Sequence, residues 1–154
     1  MMPQRGGDTM QDLDKRIRFL QTVPMFKGLD ERQLNRLARR FTERSFATGE
    51  SIVSQGALGI GLFIIEKGRA EAVRESSTGE KTVVNQLGPT DFFGELSLLD
   101  EAPRTASVVA VEPTTCLVLT QLDFMSVLRE DADIPIALLR VLARRFRIAM
   151  EGMQ

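Results

Sequence analysis

The sequence predicts an α+β, mainly β fold: a double-stranded antiparallel β-roll (jelly roll) of about eight strands, flanked by N-terminal helices and a long C-terminal helix. Three observations carry this expectation. Apolar residues recur at helical spacing near both ends of the 154-residue chain. Between them, over residues 42–120, short apolar runs alternate with Gly- and Pro-containing breaks. The composition, 43% hydrophobic and 27% charged, is that of one ordinary globular domain.

Residues 1–8 carry Pro, two Gly and polar groups and read as a mobile tail. Over residues 9–41 two helices are expected. In the first, Asp8 or Thr9 caps a stripe of Leu13, Ile17 and Leu20 that ends before Pro24. In the second, Asp30 and Gln33 form a capping box, Leu34, Leu37, Ala38 and Phe41 turn inward, and Arg32, Arg36, Arg39 and Arg40 form a solvated face. Strands are expected at residues 45–46, 51–54, 61–66, 69–74, 81–87, 105–111 and 115–120. Residues 121–154 return to helical period. A short helix over residues 121–129 places Leu122, Met125 and Leu128 inside, and a second, capped by Asp133 with Pro135 in its first turn, runs to Met153. The apolar stripe of that last helix, with Leu138, Leu139, Val141, Leu142, Phe146, Ala149, Met150 and Met153, is wider than packing on one domain needs, which points to a homodimer through the C-terminal helix.

Composition removes several functional classes. With 20 basic and 21 acidic side chains the net charge is −1, so there is no global basic field for nucleic acid, and no DNA partner is expected. Histidine is absent, which removes His-metal sites and Ser-His-Asp or Cys-His nucleophile systems; no metal, no cofactor and no enzymatic activity are expected. The single cysteine, Cys116, sits in strand-like sequence and reads as a buried, inert thiol. No window approaches the ~20 apolar residues of a membrane span, and the first residues lack the apolar core of a signal peptide. A cytoplasmic protein without a membrane partner is the expectation.

One stretch, residues 92–107, carries the chemistry. Gly94 permits a backbone angle that a Cβ resists, and the residues after it, Glu95 to Leu99, are good helix formers, so a short helical turn is expected to begin there. Its free N–H groups and positive dipole end suit an anion. Pro103 ends the turn just before Arg104, which enters the strand-like run from Thr105 and is thereby fixed. Glycine, helix start and arginine converge on one small anion.

The run Phe93, Gly94, Glu95, Leu96, Ser97, Leu98 followed by Pro103, Arg104, Thr105, Ala106 resembles the phosphate-binding cassette of cyclic-nucleotide-binding domains, as in the catabolite activator protein, kinase regulatory subunits and nucleotide-gated channels. The likeness extends from residues 23–29 through Gly49, Glu50 and the Ser54, Gln55, Gly56 run to residues 138–147. It implies the same β-roll, with cAMP, more than cGMP, as ligand. By position in the cassette, Arg104 would bind the exocyclic oxygens of the cyclic phosphate, joined by N–H groups near Leu96 and Ser97, and Glu95 would accept the ribose 2′-hydroxyl proton. Thr105 is compatible with either purine, Ala106 closes the cassette, and Ala72, Val84 and Leu96 would be apolar walls around ribose and base.

In that family the last helix swings over the base on binding, so residues 121–154 are read as hinge and lid or dimer helix, with Arg144, Arg145, Phe146 and Met150 as lid candidates. The implied function is a stand-alone regulatory module that turns occupancy into movement of its C-terminal helix, acting on itself or on a protein effector. Ile60 departs from the pattern, standing where family members commonly carry an acid that orients the phosphate arginine. It motivates the alternative of an interaction or dimerisation module that retains the fold without nucleotide.

Overall fold

The computed structural model describes residues 10–57, 61–94 and 105–152. Two compact units emerge, Met1–Arg40 with Ser126–Gln154, and Phe41–Met125. The first holds α1 (Met10–Gln21), a 3-10 turn (Pro24–Phe26), α2 (Glu31–Ala38) and α4 (Asp133–Glu151), while α3 (Gln121–Glu130) crosses the division. Ile17 and Leu20 of α1 are buried as their spacing predicts, as are Leu34, Leu37 and Ala38 of α2. At the start of α2 both halves of the capping box are made: the Gln33 amide N–H donates to Asp30 Oδ1 at 2.8 Å, and the Asp30 N–H donates to Gln33 Oε1 at 2.9 Å. The same Gln33 donates through Nε2 to Asp131 at 2.6 Å, and Arg40 pairs with Glu130 at 2.6 Å, so part of the arginine face is engaged rather than simply solvated.

The second unit consists of eight antiparallel strands in two four-stranded sheets. They are β1 (Thr42–Phe46), β2 (Ser51–Val53), β3 (Gly61–Lys67), β4 (Ala70–Glu75), β5 (Lys81–Leu87), β6 (Phe92–Phe93), β7 (Ser107–Ala110) and β8 (Thr114–Thr120). One sheet runs β1-β8-β3-β6 and the other β2-β7-β4-β5, which is the β-roll expected from the punctuation of the sequence. Between the sheets Phe46, Ile52, Val53, Phe63, Ile65, Ala70, Leu87, Phe93, Val108, Ala110, Cys116 and Val118 form one core, with Ala72 packed against it. Strand β3 is buried from Gly61 to Ile65, and it is hydrogen-bonded on both edges, to β8 and β6.

Several boundaries differ from the sequence reading. Thr105 and Ala106 bend, and β7 begins only at Ser107. In α3 the buried side chains are Phe124 and Val127, whereas Leu122 is 79% exposed. At the helix start the Asp123 N–H donates to Thr120 Oγ1 at 3.2 Å, which caps the helix, while packing buries Phe124 and Val127. Asp133 does not cap α4. It is the first helical residue, behind Ala132, which is itself helical and supplies no side-chain bond. Helix α4 ends at Glu151 with Gly152 as its C-cap; Asp8, Thr9 and Met153 lie outside the described residues. Of the wide apolar stripe, Leu138 and Ile134 are buried, but Leu139, Phe146 and Met150 are exposed.

Cys116 on β8 is fully buried, and burial pushes its thiol up from 9.0 to about 12, opposed by Arg44 and reinforced by Glu66. The native protein is therefore expected to react with an aromatic disulfide reagent at pH 8 no faster than it unfolds; rapid labelling of the folded chain would contradict this. Since the unfolded thiol ionises near its ordinary value and the folded one does not, stability contributed by Cys116 is complete below about pH 9 and is lost as pH rises towards about 12.

Candidate functional site

The cassette begins on one sheet and ends on the other. Phe92 and Phe93 form β6, paired with Ile64 and Phe63 of β3, and the Phe63 and Phe93 rings stack with centroids 5.3 Å apart and planes 5° from parallel. The turn leading into β6 is fixed by the Gly88 N–H donating to Asp91 Oδ2 at 2.8 Å and the Ile65 N–H donating to the Asp91 carbonyl at 2.9 Å. The residue that follows this anchored pair is Gly94, with φ of +98°. A side chain there would be strained, so the glycine is required by the backbone direction in which the chain leaves the sheet. Glu95, Leu96, Ser97 and Arg104, together with Ile60, lie outside the described residues.

The chain is described again at Thr105, next to the other sheet. Val73 pairs with Ser107 and Ala72 with Val108, so the start of β7 lies beside the middle of β4. Ala70 and Ala72 face the core, and by strand alternation Arg74 belongs to the same face. Its Nε donates to the Thr105 carbonyl at 3.4 Å, a long bond that places a guanidinium at the exit of the cassette. Strand alternation from Ala72 would have drawn attention to Arg74 in the sequence; the bond to Thr105 required the fold.

Of the residues expected as walls, Ala72 is half-buried on β4, and Val84 lies on the neighbouring β5. Ala72 pairs with Asn85 but Val73 pairs with Val83, so Val84 is the extra residue of a β-bulge and 45% exposed. A bulge re-aims a side chain out of strand alternation, and here it leaves apolar surface uncovered beside Ala72. Thr105 is exposed and Ala106 half-buried. The described part of the site thus combines Gly94, Ala72, Val84, Thr105 and Ala106 within one unit. Arg145 and Phe146 belong to the other unit, on the exposed half of α4. Among the described residues no cluster of His, Cys, Asp and Glu suits a metal ion, and no helix is long and apolar enough to cross a membrane.

The positive-φ Gly94 after β6 and Thr105 before β7 thus bound the cassette, one beside each sheet. The cyclic nucleotide-binding domain family model matches residues 43–131, more than half of the chain. This chain belongs to that family. Cyclic nucleotide-binding domains are therefore the frame in which Gly94, Thr105 and their neighbours are read. The cyclic AMP receptor protein of Thermus thermophilus is 36% identical over 126 residues, 82% of this chain and 58% of its own length. The cAMP-dependent protein kinase regulatory subunit of Mycosarcoma maydis is 40% identical over 97 residues, 63% of this chain and 18% of that protein. The chain thus spans somewhat over half of one curated relative and under a fifth of the other. Among solved structures, the Thermus thermophilus catabolite activator protein superposes with a TM-score of 0.80 at 35% identity, covering 84% of this chain and 61% of that one. The regulatory domain of Toxoplasma gondii PKA, crystallised with cAMP, gives 0.72 at 29% identity over 79% of this chain and 46% of that one.

Proposed function

We propose that this cyclic nucleotide-binding domain is a regulatory module that binds cAMP in preference to cGMP and converts occupancy into movement of α4. The observation that carries the reading is the family match over residues 43–131, which contains the whole cassette from Gly94 to Ala106. Both curated relatives bear names tied to cAMP, and the PKA regulatory domain of Toxoplasma gondii is a cAMP complex. Within the cassette Arg104 grips the exocyclic phosphate oxygens, amides near Leu96 and Ser97 add their donors, and Glu95 accepts from the ribose 2′-hydroxyl. Ala72, Val84 and Leu96 flank ribose and base, with Thr105 beside the phosphate. Binding carries no chemical step, so the module acts as a receptor and not as an enzyme. Its output is α4, whose exposed Leu139, Phe146 and Met150 offer a face to a second copy or to a protein effector, and whose Arg145 and Phe146 serve as lid residues. The setting is the cytoplasm.

Ile60, in place of the acid that family members commonly carry, favours a second reading, a dimerisation module without nucleotide. Calorimetric titration separates the two, and it suits a chain without Trp or Tyr. The first reading predicts saturable heat with cAMP at micromolar concentration; the second predicts none up to high micromolar ligand. A finer result concerns the ribose. Glu95→Ala is expected to narrow the affinity gap between cAMP and its 2′-deoxy form by about tenfold, the worth of one charge-assisted hydrogen bond. An unchanged ratio would remove Glu95 as the ribose reader.

A further inference from the structure

Strand β7 is shorter than its neighbour β4 at the end from which the cassette departs. The ladder between them stops at Val73 and Ser107, leaving the Glu75 N–H and C=O, which face the β7 side, without a backbone partner from β7. Gln55 supplies one. Its Oε1 accepts from the Glu75 N–H at 2.7 Å and its Nε2 donates to the Glu75 carbonyl at 2.9 Å, so a side-chain amide offers the acceptor and the donor that a strand residue would. The Gln55 backbone N–H meanwhile donates to Ser107 Oγ at 2.8 Å, at the first residue of β7. One residue therefore ties the start of the β2–β3 loop to β4 and to β7, and it fills the ladder position that the chain preceding Ser107 would otherwise take.

We infer that Gln55 is a positioning residue for nucleotide binding, a false strand residue that keeps Thr105 and Ala106 from zipping onto β4 and so holds the exit of the cassette off the sheet. This rests on the cyclic-nucleotide reading above. The physical reason is competition for the same donors and acceptors: a backbone N–H and C=O left open beside a neighbouring strand template its extension, and Gln55 closes that template. Extension of β7 by two residues would move Thr105 from where Arg74 meets it, and with it the attachment of Arg104. Arg74 acts in the same direction, since its Nε bond to the Thr105 carbonyl occupies an acceptor that a longer ladder would use.

The test is Gln55→Leu, which keeps most of the side-chain volume and removes both amide bonds. Gln55, Arg74 and Glu75 are all exposed, so the variant leaves no buried unpaired group and the fold is expected to persist. Measured by calorimetry, its cAMP dissociation constant is expected to rise at least tenfold while the nucleotide-free thermal midpoint changes by only a few degrees. Gln55→Glu retains the acceptor for the Glu75 N–H and loses the donor, so its affinity is expected to fall between the two. Hydrogen exchange provides a readout that a merely stabilising role would not move: in Gln55→Leu the amide of Thr105, which falls opposite Glu75, is expected to gain protection as it joins the ladder. A wild-type affinity in Gln55→Leu, or a lowered midpoint with affinity unchanged, overturns the inference while leaving the cyclic-nucleotide reading intact. Wild-type protein that binds no cyclic nucleotide removes both.

Discussion

Arg104→Ala is expected to weaken cAMP binding about hundredfold or more, because two charge-assisted hydrogen bonds to one anion are lost and each is worth ~1.5–3 kcal/mol. The effect belongs to the ligand and not to the fold. The far-ultraviolet dichroism and the nucleotide-free thermal midpoint are expected to stay near those of the wild type. Arg104→Lys separates charge from geometry: a point charge on a flexible stem retains attraction for the phosphate but cannot present two parallel donors, so its affinity is expected to lie between the two. Calorimetry with all three proteins checks the order. An Arg104→Ala variant with undiminished affinity would retire the phosphate assignment and, with it, the anion logic of the Gly94-led cassette.

Gly68→Ala is expected to produce a large loss of stability. Gly68 turns the chain between β3 and β4 with φ of +99°, outside the comfortable range of any L side chain. A Cβ built there would lie 2.4 Å from the Pro113 carbonyl oxygen, 2.6 Å from Thr114 Oγ1 and 2.7 Å from Thr114 Cα. Two of those three are backbone atoms, and Thr114 is buried with its one hydroxyl proton shared between the Glu112 carbonyl at 2.8 Å and the Arg69 carbonyl at 3.1 Å, so the neighbour has nowhere to go. Backbone strain and overpacking together cost about 3–5 kcal/mol, a large share of the ~5–15 kcal/mol that holds a domain of this size together. Urea denaturation reads this as a marked fall in midpoint with an unchanged slope. A midpoint within a few tenths of a molar of wild type would mean that the turn relaxes in a way the close approach to Pro113 does not allow.

The β-roll was legible because its signals are local and repeated. Turn residues at Gly49, Gly56, Gly68 and Gly79 all have positive φ, and the runs between them fall into the two observed sheets. The capping box of Asp30 and Gln33 was equally legible, since three-residue spacing and residue type determine it. What the sequence concealed depends on register or on tertiary packing. The period alone did not place Phe124 and Val127 inside α3 in preference to Leu122, because several apolar stripes fit one short helix and tertiary packing chooses among them. Nor did it show that Val84 is a bulge residue, since alternation along Lys81–Leu87 reads the same with or without an extra residue. At the site, Gly94 and the cassette motif stood out by composition, whereas the roles of Arg74 and Gln55 arise from residues 31 and 20 positions away in sequence that only the sheet brings together.

The account rests on one small anion fused to a sugar being held where the chain crosses from β6 to β7. A crystal structure of the wild-type protein grown with cAMP tests that most directly. The account predicts nucleotide density with its cyclic phosphate against the segment between Gly94 and Ala106, the Arg104 guanidinium on the exocyclic oxygens, and the ribose and base beside Ala72 and Val84. Density for cAMP elsewhere on the molecule, or no nucleotide density against that segment at saturating cAMP, would contradict it.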